Sequence, residues 1–100
     1  MIYRFHPAAA GEHLDNVAFY ESRQAGLGGD YLAEFEAVLN HICTEPNFYP
    51  LDSEPDMPRA GMRRFPFHIL YRITQRDILV LAVAHHRRRP AYWMGRIVKR

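Results

Sequence analysis

The first half of the chain carries one strand pattern followed by two helical patterns. Apolar Tyr3 and Phe5 alternate with polar neighbours over residues 1–6, which predicts a short strand. Pro7 suits the first turn of a helix, because its missing N–H would be unpaired there in any case. A helix running to about residue 24 is predicted, with an apolar face of four residues at helical spacing: Ala10, Leu14, Val17 and Ala18.

A glycine-rich turn separates this helix from a second one. The GLGG run at 26–29 is predicted to end the first helix, since glycine reaches left-handed backbone angles at low cost. Asp30 is a candidate N-cap for the second helix. Its apolar stripe consists of Tyr31, Phe35, Val38 and Ile42, and Leu32 and Leu39 widen it. Two amphipathic helices joined by a tight turn predict an antiparallel helical hairpin.

The second half reads as strands. Four of the seven prolines fall within residues 46–58, which predicts a stiff surface connector. Residues 62–65 and 67–74 are predicted strands, and residues 78–84 are apolar on both faces, as expected of a central strand. Residues 90–100 are predicted to form either a short helix or an irregular tail.

These elements predict one α+β domain spanning residues 1–100. The order is an N-terminal strand, a two-helix antiparallel hairpin and three strands, and the apolar helix stripes need an apolar sheet face as cover. We therefore expect the hairpin to pack on an antiparallel β-sheet.

Several classes of protein are disfavoured by what the sequence lacks. The longest apolar run, 78–84, is far shorter than the roughly 20 residues that span a bilayer, and the start does not resemble a signal peptide. A cytoplasmic protein without membrane contact is expected. Cys43 is the only cysteine, and the chain shows no phosphate-binding loop, nucleophile elbow or zinc motif, so neither cofactor nor metal is expected. The adjacent His85 and His86 should point to opposite faces, which is poor metal geometry.

Charge divides the chain into two unequal halves. Residues 1–56 hold two arginines and ten acidic residues, whereas residues 57–100 hold ten arginines and Lys99 against Asp77 alone. Arginine grips phosphate or carboxylate with two parallel hydrogen bonds and stacks on aromatic rings. The second half is therefore predicted to meet an acidic or nucleic-acid partner.

Most candidate binding residues follow the apolar run 78–84, where loops positioned by a rigid scaffold commonly carry function, and arginines of the preceding strands are expected to add to the same surface. The predicted surface contains nine residues: Arg63, Arg64, Arg72, Arg87, Arg88, Arg89, Tyr92, Trp93 and Arg96. For Trp93 the favoured interpretation is that its ring folds back onto the core, since a lone tryptophan usually buries most of its ring.

The ordered set of short motifs resembles the RelE/ParE family of toxins. The first half matches through FHPA at 5–8, FYE at 19–21, GLG at 26–28 and the stretch 35–50. The second half matches through RRFPFHILYR at 63–72, ILVLAVAH at 78–85 and RRRPAYW at 87–93. This likeness implies a bacterial type II toxin that inhibits growth, contributes to plasmid stabilisation and is neutralised by a ParD/RelB-like antitoxin encoded beside it.

The resemblance leaves the target open. ParE-like members inhibit DNA gyrase without catalysis, whereas RelE-like members cut messenger RNA in the ribosome. The lysine-rich patch of the nuclease members is missing here, since Lys99 is the only lysine, and this favours the ParE-like, non-enzymatic function. In the alternative, a ribosome-dependent endoribonuclease, the catalytic candidates are His85, His86, Tyr92, Arg63 and Arg87. A non-toxic nucleic-acid-binding module is the remaining alternative, and it lacks an evident groove-reading helix.

Overall fold

The computed structural model describes residues 1–51, 57–89 and 91–97. The elements in chain order are β1 (Ile2–Phe5), α1 (Pro7–Arg23), α2 (Leu27–Thr44), β2 (Arg59–Gly61), β3 (Phe67–Ile73), β4 (Asp77–His85) and a 3₁₀ helix (Tyr92–Arg96). The predicted α+β class is confirmed, as is the order of strand, two helices and three strands. The 3₁₀ helix corresponds to the helical alternative for the tail, while Pro55, Pro90 and residues 98–100 lie outside the described residues.

The four strands form one sheet in the order β1-β4-β3-β2. β2, β3 and β4 are antiparallel neighbours, as predicted, whereas β1 pairs in parallel with β4, so the sheet is mixed. β4 is a central strand, which its apolar character on both faces had predicted.

The strand predicted at residues 62–65 is wrong. The strand lies just before it, at β2, and residues 62–66 form a loop. In this loop the backbone N–H groups of Arg63 and Arg64 donate to the carboxylate of Glu34 on α2. A side chain of the hairpin therefore satisfies backbone donors that a strand would have paired with its neighbour.

The prediction of Asp30 as the N-cap of the second helix is also wrong. α2 begins at Leu27, its N-cap is Gly26 in the left-handed region (φ 88°), and Asp30 lies inside the first turn. Glu21 of α1 supplies the capping carboxylate and accepts the N–H groups of Gly26 and Gly28 at 3.0 Å each. Only Gly26 of the GLGG run belongs to the turn, and the rest of the run is helical.

The buried face of α1 is rotated from the predicted one. Leu14 is 66% exposed and Ala18 is exposed, so neither supports the core. The inward face instead contains Ala9, His13, Val17 and Tyr20. The apolar pattern was misleading because a histidine occupies the inward position, where its ring stacks on Phe35 at a centroid distance of 4.0 Å.

Both faces of the sheet are covered. The main core lies between the helical hairpin and one face, and its largest side chains include Tyr31, Phe35 and Tyr71. The opposite face, called the outer face below, carries a smaller cluster around Leu70 and Leu81 that Trp93 covers. Within the described ranges, no helix has the length and apolar character needed to cross a membrane.

Candidate functional site

The C-terminal half of β4 extends beyond the end of β1. The parallel pairing stops at Val80, which leaves the following edge of the central strand without a strand neighbour on that side. Glu12 of α1 accepts the N–H of Val83 at 2.9 Å, and Arg96 donates to the carbonyl of Leu81 at 2.9 Å. Two side chains thus replace the missing strand, which satisfies backbone groups that burial would otherwise make costly.

Glu12 also binds the C-terminal tail directly. Its carboxylate forms an ion pair with Arg96 at 2.7 Å and accepts the hydroxyl of Tyr92 at 2.8 Å. Burial by itself raises the pKa of Glu12, but hydrogen bonds from Arg96, the Val83 amide and Tyr92 outweigh it and hold the pKa below its ordinary value. Glu12 is therefore a charged anchor that fixes the tail to α1.

Tyr92 occupies the centre of this anchor. The guanidinium of Arg88 lies 3.7 Å from the Tyr92 ring centroid, and that of Arg96 lies 5.1 Å from it. Burial and the hydrogen bond to Glu12 raise the pKa of Tyr92 to about 12. Its hydroxyl is thus held protonated at neutral pH. Beside it Trp93 is 2% exposed, which agrees with the interpretation that its ring covers the core.

The outer face gathers basic side chains at the end where β4 leaves the sheet. A recess of about 120 Å³, called the outer recess below, is lined by residues that include Arg59, His68, His86, Arg88 and Arg89. The His68 and His86 rings stack with centroids 5.5 Å apart. At the other end of the same face, Arg72 and Arg96 line a second groove together with Arg4.

The predicted arginines do not form one continuous patch. Arg63 and Arg64 lie beside α2, where the Arg64 guanidinium is 3.7 Å from the carboxylate of Asp30. Arg63 lines a groove of about 480 Å³, called the hairpin groove below, together with Val38 and the exposed Phe48. Arg87 is exposed and lies outside both the outer recess and the hairpin groove. The structure therefore separates the candidates into an outer-face set and a hairpin set, and Arg87 belongs to neither.

The catalytic candidates of the nuclease alternative are only partly assembled. His85, His86 and Tyr92 all border the outer recess, whereas Arg63 and Arg87 do not. The ring of His85 packs edge-on against Phe67 on the helix side, at 5.1 Å, while that of His86 lies on the outer face. The two imidazoles point to opposite sides of the sheet, as their adjacency predicted.

Sequence reasoning missed Glu12, Arg59 and His68. Glu12 stands alone among alanines and a histidine, and nothing local marks it as the partner of a residue near the other end of the chain. Arg59 and His68 come together because β2 and β3 pair, with Gly61 opposite His68. Correct placement of β2 would have indicated this pair. In the described residues, no group of three or more His, Cys, Asp or Glu side chains is placed to hold a metal ion.

The fold defines a small α+β protein in which a helical hairpin packs on a four-stranded mixed sheet with a basic outer face. The family model described as the ParE toxin of the type II toxin–antitoxin system parDE matches residues 3–90. The chain therefore belongs to the ParE toxin family.

A solved structure supports the same fold. It is titled "Chromosomal ParDE TA system from P. aeruginosa" and superposes with a TM-score of 0.69 at 15% sequence identity. The similarity covers 85% of this chain and 95% of that chain, so it extends over nearly the whole fold. Among curated proteins, none is significantly similar in sequence.

Proposed function

We propose that this chain inhibits bacterial growth by binding DNA gyrase, without catalysis, and that a cognate ParD-like antitoxin neutralises it. The observation that carries the non-catalytic function is the commitment of Tyr92 to Glu12 at 2.8 Å. A tyrosine whose pKa is raised to about 12 and whose proton already serves a carboxylate is poorly matched to acid–base work at neutral pH. Membership of the ParE family supports gyrase as the target, because ParE-like toxins inhibit this enzyme.

The hairpin groove is the proposed antitoxin surface. Its lining includes Val38, Arg63 and Phe48, the last of which is 69% exposed. An acidic, amphipathic antitoxin segment would bury its apolar side chains against Val38 and Phe48 and pair its carboxylates with Arg63. Such coupling of apolar burial to charge suits a segment that folds on binding, since both terms offset the entropy lost.

The test uses purified protein with two readouts. Under our proposal the chain inhibits supercoiling by purified gyrase, an equimolar antitoxin restores supercoiling, and a cell-free translation reaction continues undisturbed. Full supercoiling activity combined with arrested translation and cut messages would overturn the proposal.

The ribosome-dependent endoribonuclease stays as a second candidate because His85, His86 and Tyr92 border one recess. His86→Ala and Tyr92→Phe distinguish the two functions. Loss of an acid–base group lowers cleavage by about 10²-fold or more, whereas gyrase inhibition through other surfaces would persist in both variants.

A further inference from the structure

The outer recess has the dimensions of a site for one small anion. Its volume of about 120 Å³ falls well below the roughly 300 to 1,000 Å³ of pockets that hold drug-sized ligands. A water molecule takes about 30 Å³ in the liquid, so the recess has room for roughly four of them. A single tetrahedral oxyanion fits a recess of this size.

The walls of the recess are positively charged. Three arginines line it, Arg59, Arg88 and Arg89, and none of its described lining residues is acidic. Arg88 is already stacked on Tyr92, and Arg59 and His68 each hold a further contact, so an anion would join an existing network. Guanidinium groups grip phosphate oxygens through paired N–H donors, which makes phosphate the fitting chemistry.

Two histidines complete the wall. His68 of β3 and His86 just after β4 stack at 5.5 Å with their planes within 16°. Imidazole N–H groups donate to oxyanions, so an anion seated beside the stacked pair would accept hydrogen bonds from both rings.

The loop that carries His86 and Arg89 is fixed before any ligand arrives. The His86 N–H donates to the Pro66 carbonyl at 2.9 Å, and the Arg88 N–H donates to the His85 carbonyl at 3.0 Å. The Tyr92 N–H donates to the Arg89 carbonyl at 3.3 Å, which ties the loop to the 3₁₀ helix. A preorganised site loses little conformational entropy on binding.

We propose that the outer recess binds one phosphate group, with Arg89, Arg59 and the His68–His86 pair as its ligands. The phosphate comes either from a small phosphorylated compound or from a nucleic-acid backbone, since both present the same oxyanion. The proposal goes beyond gyrase inhibition, because it concerns a ligand site that the isolated toxin carries whatever its target.

The test is a titration of the purified chain with inorganic phosphate at constant ionic strength, followed by NMR of the histidine ring C–H signals. The signals of His68 and His86 should shift saturably, while that of His41, which bonds Tyr49 beside α2, should stay in place. Linear shifts without saturation, or equal shifts of all three, would overturn the proposal.

A matched pair of variants separates a site from general attraction. Arg89→Ala should weaken phosphate binding about tenfold, the scale of a lost charge-assisted hydrogen bond. Arg76→Ala removes the same charge from the exposed turn between β3 and β4, away from the recess, and it should leave the affinity within about twofold, as expected for screened exposed charges. Equal weakening by both variants would mean that phosphate responds only to net charge, and the site would not exist.

The source of the phosphate is assigned by two further ligands in the same titration. A single-stranded oligonucleotide that saturates the His68 and His86 shifts at lower concentration than a nucleoside monophosphate identifies a nucleic-acid backbone. Equal affinities identify small phosphorylated compounds. A gyrase assay that fails leaves this titration unaffected, so the two proposals fail separately.

Discussion

Glu12 and Arg96, 84 residues apart in sequence, form an ion pair at 2.7 Å that joins the first helix to the C-terminal tail. Both side chains are mostly shielded, at 18% and 16% exposure, so solvent screens the pair less than a surface ion pair. The same two residues complete the hydrogen bonding of the β4 edge. One contact therefore stabilises the helix, the central strand and the tail together.

Glu12→Gln is expected to lower the free energy of unfolding by about 2 kcal/mol, because it leaves the Arg96 charge without its partner. Chemical denaturation at pH 7 measures the change. Asp15→Asn, which removes an exposed carboxylate from the same helix, is the control and should change stability by less than about 0.5 kcal/mol. Equal losses in the two variants would show that the ion pair contributes nothing specific.

Ionisation of Glu12 should contribute to the pH dependence of the free energy of unfolding. Its folded-state pKa lies below the ordinary value of 4.5, so its contribution is complete above that value and disappears as pH falls through the folded pKa. The difference in stability between the wild type and Glu12→Gln should therefore be constant from pH 7 to about pH 5 and shrink below about pH 4.5.

Other titrating groups act on both proteins and cancel in this difference. The hydroxyl of Thr74 and the guanidinium of Arg4 lower the pKa of Asp77, and burial lowers the pKa of His13. A difference that stays constant down to pH 3 would contradict the assignment to Glu12.

Two neighbouring glycines of α2 should respond to alanine in opposite directions. A Cβ at Gly28 would lie 2.7 Å from the Val17 carbonyl oxygen and 2.9 Å from the Glu21 Cβ, so the helices must separate. Gly28→Ala is expected to destabilise the fold by about 1–3 kcal/mol, the usual range for overpacking. Gly29 has open space around its Cβ position, and Gly29→Ala should stabilise the helix by about 0.5–1 kcal/mol. Thermal unfolding measures both, and a stable Gly28→Ala variant would refute the close packing of the hairpin.

Periodicity predicted the elements of the fold better than it predicted their faces. The run at residues 78–84 is apolar throughout, and only a central strand that is covered on both sides buries side chains on both of its faces. On α1, however, His13 replaces an apolar residue at the inward position, while Leu14 projects into solvent. Patterns of residue type cannot distinguish a histidine packed on aromatic rings from a solvated one.

The sequence predicted only part of the candidate site. Site residues that are adjacent in the sequence can be recognised there, whereas site residues from distant segments come together only in the folded protein. The arginine run at residues 87–89 marks itself in the sequence, as do Tyr92 and Trp93. Glu12 and His68 join them only through the pairing of distant elements. The division of Arg63 from the outer face likewise depends on Glu34, which holds the loop against α2.

Phe48 should be a major contact for the antitoxin if the hairpin groove is its binding surface. Phe48→Ala removes an aromatic side chain that is 69% exposed, so the isolated toxin should keep its stability. The affinity for the antitoxin should fall about 30-fold, the scale of a buried aromatic anchor at an interface. Isothermal titration calorimetry measures this. Phe19→Ala, at 52% exposure on α1, is the control, and an equal loss there would move the antitoxin away from the groove.

The charge of Arg63, which lines the hairpin groove, should control the affinity for the antitoxin. Arg63→Glu places a carboxylate where an acidic antitoxin approaches, and we expect at least about tenfold weaker binding, mainly through slower association at low salt. The Arg63 contact to Glu34 uses the backbone N–H, so the substitution leaves the loop attached. Arg76→Glu makes the same charge change in the exposed turn between β3 and β4, and it serves as the control. Surface plasmon resonance at two salt concentrations distinguishes the two explanations. A loss of affinity that both variants share and that high salt abolishes reflects net charge alone. A loss of affinity confined to Arg63→Glu locates the antitoxin at the hairpin groove.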